Sequence, residues 1–103
     1  MTPRNNIILI GMPAVGKSTV GVLLAKQLGL GFLDTDLLIQ TGENRYLREI
    51  IAAHGIDGFC AVEERYLLKV HADGYVIATG GSVVYSAAGM QHLNALGTIV
   101  YLQ

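Results

Sequence analysis

The stretch Gly11-Met12-Pro13-Ala14-Val15-Gly16-Lys17-Ser18 constrains this chain more than any other feature. It matches G-x-x-x-x-G-K-[ST], the Walker A pattern, and it stands where that pattern needs to stand. Before it, Ile7 to Ile10 is an unbroken β-branched and aliphatic run, the pattern of a strand buried on both faces. After it, Val20, Leu23, Leu24 and Leu28 recur at helical spacing until Gly29, a residue suited to a left-handed helix stop. A strand, a glycine-rich loop and a helix in that order wrap successive backbone N–H groups around an anion and aim the positive end of the helix at it. The pattern therefore predicts binding of a nucleoside triphosphate with magnesium. Gly11, Ala14, Val15, Gly16, Lys17, Ser18 and Thr19 form the cradle. Lys17 reaches the β and γ phosphates, Ser18 ligates magnesium, and Thr19 contacts the α phosphate.

The rest of the chain repeats the alternation. Gly31 to Asp36 reads as a second strand ending in Asp34-Thr35-Asp36, with a helical turn through Leu37, Leu38 and Ile39. Asn44 is placed to cap a helix carrying Leu47, Ile50, Ile51 and His54 on one face and ending at Gly55. Asp57 is placed to cap a longer helix through Phe59, Val62, Tyr66 and Val70. Tyr75 to Thr79 is a third strand that breaks at Gly80-Gly81. Ser86 caps a helix to Leu96, and Thr98 to Leu102 is a fourth strand. Strands alternating with helices predict an α/β fold, a parallel sheet with helices on both faces. With 103 residues, 51% of them hydrophobic and 15% charged, the chain holds one domain with a real core.

In such a sheet the carboxyl ends of the strands open onto the ligand crevice. Asp34 and Asp36, two apart on a strand, are expected to face the same side. One is then placed to hold magnesium and the other to orient the proton of an attacking hydroxyl. Gly80 and Gly81 follow the third strand at the same end, where bare backbone approaches a ligand closely.

Other classes of function find little support. The formal net charge of -1 provides no broad positive field for nucleic acid, and the five tyrosines are not interleaved with basic residues. No run is long enough to span a membrane and no targeting segment is apparent. The single Cys60 fits a reducing compartment, so a cytoplasmic protein is expected, with no obligate protein partner. Cys60 reads as a small packed side chain, and His54, His71 and His92 lack metal spacing.

Taken together, the phosphate loop, Leu33-Asp34-Thr35-Asp36, Gly58-Phe59 with Glu63, and Thr79-Gly80-Gly81 resemble the shikimate kinase family. The likeness runs from about Asn6 to Gln103. It implies a nucleoside-monophosphate-kinase-like fold and transfer of the γ-phosphoryl of ATP to the 3-hydroxyl of shikimate, a step toward the aromatic amino acids. By position it assigns Lys17 to the transferred phosphoryl, Ser18 to magnesium, Asp34 to a magnesium-bound water, and Asp36, Gly80 and Gly81 to the substrate pocket. Two positions depart from the family pattern. Cys60 stands where the family has an arginine that grips the substrate carboxylate, and Ser82 stands where it has a third glycine. These changes leave open another small polyol or hydroxy acid as acceptor. The resemblance also implies a further strand, a lid with a catalytic arginine, another substrate-binding arginine and an adenine loop beyond these residues. The chain is thus expected to be one phosphate-loop kinase domain, incomplete at its C-terminal side, which leaves open a nucleotide-binding fragment without turnover.

Overall fold

The computed structural model describes residues 5–11 and 17–102, with Lys17 described for its backbone only. Four strands form one sheet: β1 Asn6–Gly11, β2 Gly31–Asp34, β3 Tyr75–Ala78 and β4 Gly97–Leu102. Their order is β2-β3-β1-β4, and every pairing is parallel. The helices are α1 Lys17–Leu28, α2 Thr35–Glu43, α3 Leu47–Leu67 and α4 Ala87–Leu96, and a short 3-10 segment, Gly81–Tyr85, precedes α4. The expected parallel α/β sheet is what the chain builds.

Both sheet faces are covered, because the apolar strands alternate their side chains between them. On one face Leu9 and Val76 pack with Ala25 of α1, flanked by Leu24 and Phe32. On the other, Ile8, Ile10 and Ile77 meet Leu67 and Val70 near the end of α3, Val83, and Leu93 and Leu96 of α4. A third cluster of Ile39, Ile50 and Phe59 joins α2 to α3. Asn6 staples these layers together. Buried to 2% exposure, it donates to the carbonyls of Ala72 (2.9 Å) and Leu96 (2.8 Å), and its Oδ1 accepts from the Tyr75 N–H (2.9 Å).

Several predicted boundaries hold. Gly29 ends α1 at φ 69°, and Ser86 caps α4 by accepting from the Gly89 N–H at 2.9 Å. Two expectations around α3 fail. Asn44 does not cap α3. It ends α2 in the left-handed conformation at φ 55°, its N–H bonded to the Gln40 carbonyl, a role asparagine fills more readily than most residues. The start of α3 is closed by Tyr46 and Glu49, whose carboxylate accepts the Tyr46 N–H at 3.0 Å. Gly55, with φ 73° and ψ 176°, is the only non-helical residue inside the α3 span. Asp57 therefore falls in the first turn of the second segment, where its charge suits the helix dipole, and not at the cap.

Candidate functional site

The phosphate loop proper, including Ala14, Val15 and Gly16, lies outside the described residues, as does the Lys17 side chain. Its flanks do not. Gly11 ends β1, and a Cβ there would run into the Leu102 carbonyl of β4, so only glycine permits this approach. Ser18 and Thr19 sit exposed in the first turn of α1.

Ser18 and Asp34, the two residues expected at magnesium, lie in contact. The Ser18 Oγ donates to Asp34 Oδ2 at 2.8 Å. The other carboxylate oxygen, Oδ1, accepts from the N–H groups of Asp36 (2.9 Å) and Leu37 (3.3 Å) and so caps α2. The cap and the site thus use different oxygens of one side chain. A hydroxyl and a carboxylate are the hard oxygen donors magnesium takes, and magnesium commonly keeps waters and phosphate oxygens for the remaining positions. The pair fits such an ion. Among the described residues no group of three or more His, Cys, Asp or Glu side chains could hold a metal.

Asp36 is not on a strand. The sheet ends at Asp34, and Asp36 lies in the first turn of α2, so the expected same-side alternation does not apply. Its carboxylate nevertheless turns toward the third-strand glycines. A Cβ added at Gly80 would lie 3.1 Å from Asp36 Oδ1 and 2.9 Å from Glu63 Oε2. Asp36, Glu63 and Gly80 therefore converge on one spot, with the bare glycine making room for two carboxylates. Thr79, just before it, is locked to β1 through its N–H (3.1 Å) and Oγ1 (3.0 Å), both donating to the Leu9 carbonyl. Gly81 begins the 3-10 segment and turns the chain away.

Glu63 was visible in the sequence only as part of a motif, without a site role. It is 1% exposed, its Oε1 accepts from Ser82 Oγ at 2.8 Å, and its Oε2 has no hydrogen-bond partner among the described residues. Burial pushes its carboxyl above the usual carboxylate range; the Ser82 hydrogen bond opposes this and the Asp36 charge adds to it. The signal was the helical stripe Phe59, Glu63 and Leu67, all buried, in which one carboxylate interrupts apolar residues. The predicted face through Val62 and Tyr66 is only partly buried.

Cys60 lines a cavity of about 240 Å³ with Glu63, Glu64, Ser82, Tyr85 and Ser86. Burial raises its thiol pKa, and the charges of Glu63 and Asp57 raise it further. Among the described residues no arginine lines this cavity. Arg65 pairs with Glu43 at 3.1 Å, Arg48 lies over the Tyr46 ring at 5.3 Å, and Arg45 borders a separate hollow with Gln40 and Glu49. His92 contacts the Val70 carbonyl through Nε2 at 2.8 Å and meets the His71 ring edge-on. No described helix is long and apolar enough to cross a membrane.

The shikimate kinase family model matches residues 13–103. A shikimate kinase of Actinobacillus succinogenes is 40% identical over 104 residues, a match that takes in 100% of this chain and 59% of that protein. Shikimate kinase 2 of Sodalis glossinidius is 39% identical over 97 residues, covering 94% and 56%. Among solved structures, a shikimate kinase from Acinetobacter baumannii in complex with shikimate superposes with a TM-score of 0.90 at 35% identity, covering 98% of this chain and 56% of that one. The enzyme from Aquifex aeolicus gives a TM-score of 0.80 at 31% identity, covering 95% and 59%. The chain spans less than three-fifths of the length of these relatives. With its parallel sheet, its Ser18–Asp34 pair and these matches, the chain belongs to the shikimate kinase family.

Proposed function

We propose that the protein transfers the γ-phosphoryl of ATP to a hydroxyl of a small acceptor, the 3-hydroxyl of shikimate being the first candidate. The observation that carries this reading is the meeting of Ser18 with Asp34 beside the Asp36–Gly80 wall, all at the carboxyl ends of parallel strands. Magnesium bound there supplies charge neutralisation at the phosphates. Ser18 would hold the ion, with Asp34 holding it directly or through a bound water. The backbone from Gly11 through Ala14, Val15 and Gly16 to Thr19 cradles the phosphates, and Lys17 stabilises the transferred group. Asp36 accepts and orients the attacking hydroxyl while Gly80 and Gly81 admit the acceptor at close range, with Cys60 on the neighbouring wall.

Cys60 favours a second reading, a kinase for another small hydroxylated metabolite, because a thiol cannot form the bidentate pair that an arginine forms with a carboxylate. In either reading this is one phosphate-loop kinase domain of the cytoplasm that acts on small molecules and needs no nucleic acid, membrane or obligate partner. The test is ADP release from ATP and magnesium with shikimate and with a panel of polyols and hydroxy acids, alongside direct ATP binding. Acceptor-dependent ADP release supports transfer. ATP binding with no release for any acceptor rejects it and leaves a nucleotide-binding module.

A further inference from the structure

Away from the phosphate loop, a polar cluster ties α2 to α3. The Tyr66 hydroxyl donates to Glu43 Oε2 at 2.7 Å, and Arg65 Nη2 donates to the same oxygen at 3.1 Å. The Arg65 guanidinium also lies 5.6 Å from the centre of the Tyr66 ring. A Cβ at Gly42 would run into the Tyr66 hydroxyl, so glycine is what lets that ring lie against the last turn of α2. The same two helices carry the carboxylates that face Gly80. Asp36 is in the first turn of α2, and Glu63 is one turn before Tyr66 on α3. Burial raises the Glu63 carboxyl and the Asp36 charge adds to it, against the Ser82 hydrogen bond, so like charge works against the contact of the two helices at that end. In the last turn of α2, Glu43 draws them together, and Ile39 of α2 packs with Ile50 and Phe59 of α3.

We propose that Tyr66 is a positioning residue for phosphoryl transfer: through Glu43 it sets how α2 lies on α3, and so where Asp36 stands relative to Glu63 and Gly80. A short helix moves as a rod, and a reacting group held out of place loses much of its rate. Tyr66 acts through α2 and not on the acceptor. The inference rests on the reading in which Asp36 orients the attacking hydroxyl.

Tyr66→Phe keeps the ring and removes the donor. Two measurements on the full-length protein read the result. One is the titration of the Glu63 carboxyl by carbon NMR, which needs no acceptor; the other is steady-state transfer from ATP and magnesium to shikimate and to the panel of polyols and hydroxy acids. In the variant Asp36 is expected to draw away, which moves the Glu63 midpoint to lower pH. For an acceptor that the parent phosphorylates, kcat/KM is expected to fall about tenfold while KM for ATP changes by less than about twofold. Glu43→Gln keeps a carbonyl for the Tyr66 hydroxyl and is expected to retain most of the parent's kcat/KM. Glu43→Ala is expected to match Tyr66→Phe, and the two combined to lose no more than either alone. An unmoved Glu63 midpoint overturns the proposal, whatever happens to thermal stability, and so does an unchanged kcat/KM in the variant of a parent that transfers phosphoryl. A shifted midpoint in a parent that phosphorylates no acceptor keeps the placement of Asp36 by Tyr66 and removes the kinase reading. An unmoved midpoint in a parent that phosphorylates one does the converse.

Discussion

Glu63→Gln separates the cost of burying a charge from the value of the side chain's shape. In the unfolded chain this carboxyl titrates near the ordinary glutamate value of about 4.3. In the folded protein burial raises it, with the Asp36 charge a lesser contributor and the Ser82 hydrogen bond opposing. Between the two values the folded protein keeps a proton that the unfolded chain has lost. Stability therefore falls as pH rises through that window and stays lower above it, and below the unfolded value the penalty is absent. Glutamine is neutral throughout. Its carbonyl can still accept from Ser82, and its amide places a donor where Oε2 now has no partner, facing Asp36.

An unmade buried hydrogen bond costs about 1–3 kcal/mol, so the variant is expected to gain roughly that much at about pH 8. For a domain of this size each kcal/mol corresponds to about 4–8 °C in Tm. Urea unfolding at about pH 4.5, 6 and 8 should show the gain shrinking toward zero at the acid end with an unchanged denaturant slope. A variant less stable than the parent at pH 8, or one whose difference is the same at all three values, refutes the reasoning.

Two other substitutions probe the frame and the metal pair. Asn6→Ala removes three hydrogen bonds that join β1 to β3 and to the end of α4, strands buried partners, and is expected to cost about 3 kcal/mol in thermal or urea unfolding; a loss under about 1 kcal/mol would show that the staple is incidental. Asp34→Asn keeps an N-cap residue of comparable strength, so stability should change by less than about 0.5 kcal/mol, while the loss of a carboxylate toward Ser18 should weaken magnesium-dependent ATP binding by about tenfold or more. Titration of ATP with and without magnesium reads the second effect, and equal affinity in the two proteins would remove Asp34 from the metal site.

The elements legible in the sequence are those fixed by local chemistry. Ile8 to Ile10 are buried on both faces, Gly29 can take φ 69° without strain, and Ser86 has a hydroxyl oxygen to accept the Gly89 N–H. Each of these choices involves residues within a few positions of one another. Asp36 was misplaced for the opposite reason. Leu33-Asp34-Thr35-Asp36 alternates like a strand, but Asp34 accepts the next two N–H groups and starts a helix there, so capping overrides the period-two pattern. Asn44 satisfies the rules for opening one helix and for closing another, and only the path of the chain between α2 and α3 decides. Glu63 was hard to place because its partners, Ser82 and the Gly80 turn, are supplied by the 3-10 segment and the turn before it, remote in sequence.

The same residues that make the fold local also make the site. Asp34 uses Oδ1 at the start of α2 and Oδ2 toward Ser18, so the helix cap fixes the orientation of the oxygen that meets the Ser18 hydroxyl. Thr79 ties β3 to β1 on the residue before Gly80, which fixes where the bare backbone begins. Glu63 works the other way. Its position costs folding free energy, because a carboxylate in the middle of an apolar stripe has one oxygen unserved, and nothing in the packing of α3 requires it. A residue that stabilises neither helix nor core and faces Asp36 across a glycine is better accounted for by a ligand than by the fold. Arginine at position 60, one turn earlier on the same helix face, would offer Glu63 a cation; with Cys60 there, the donor to its carboxylate is the Ser82 hydroxyl.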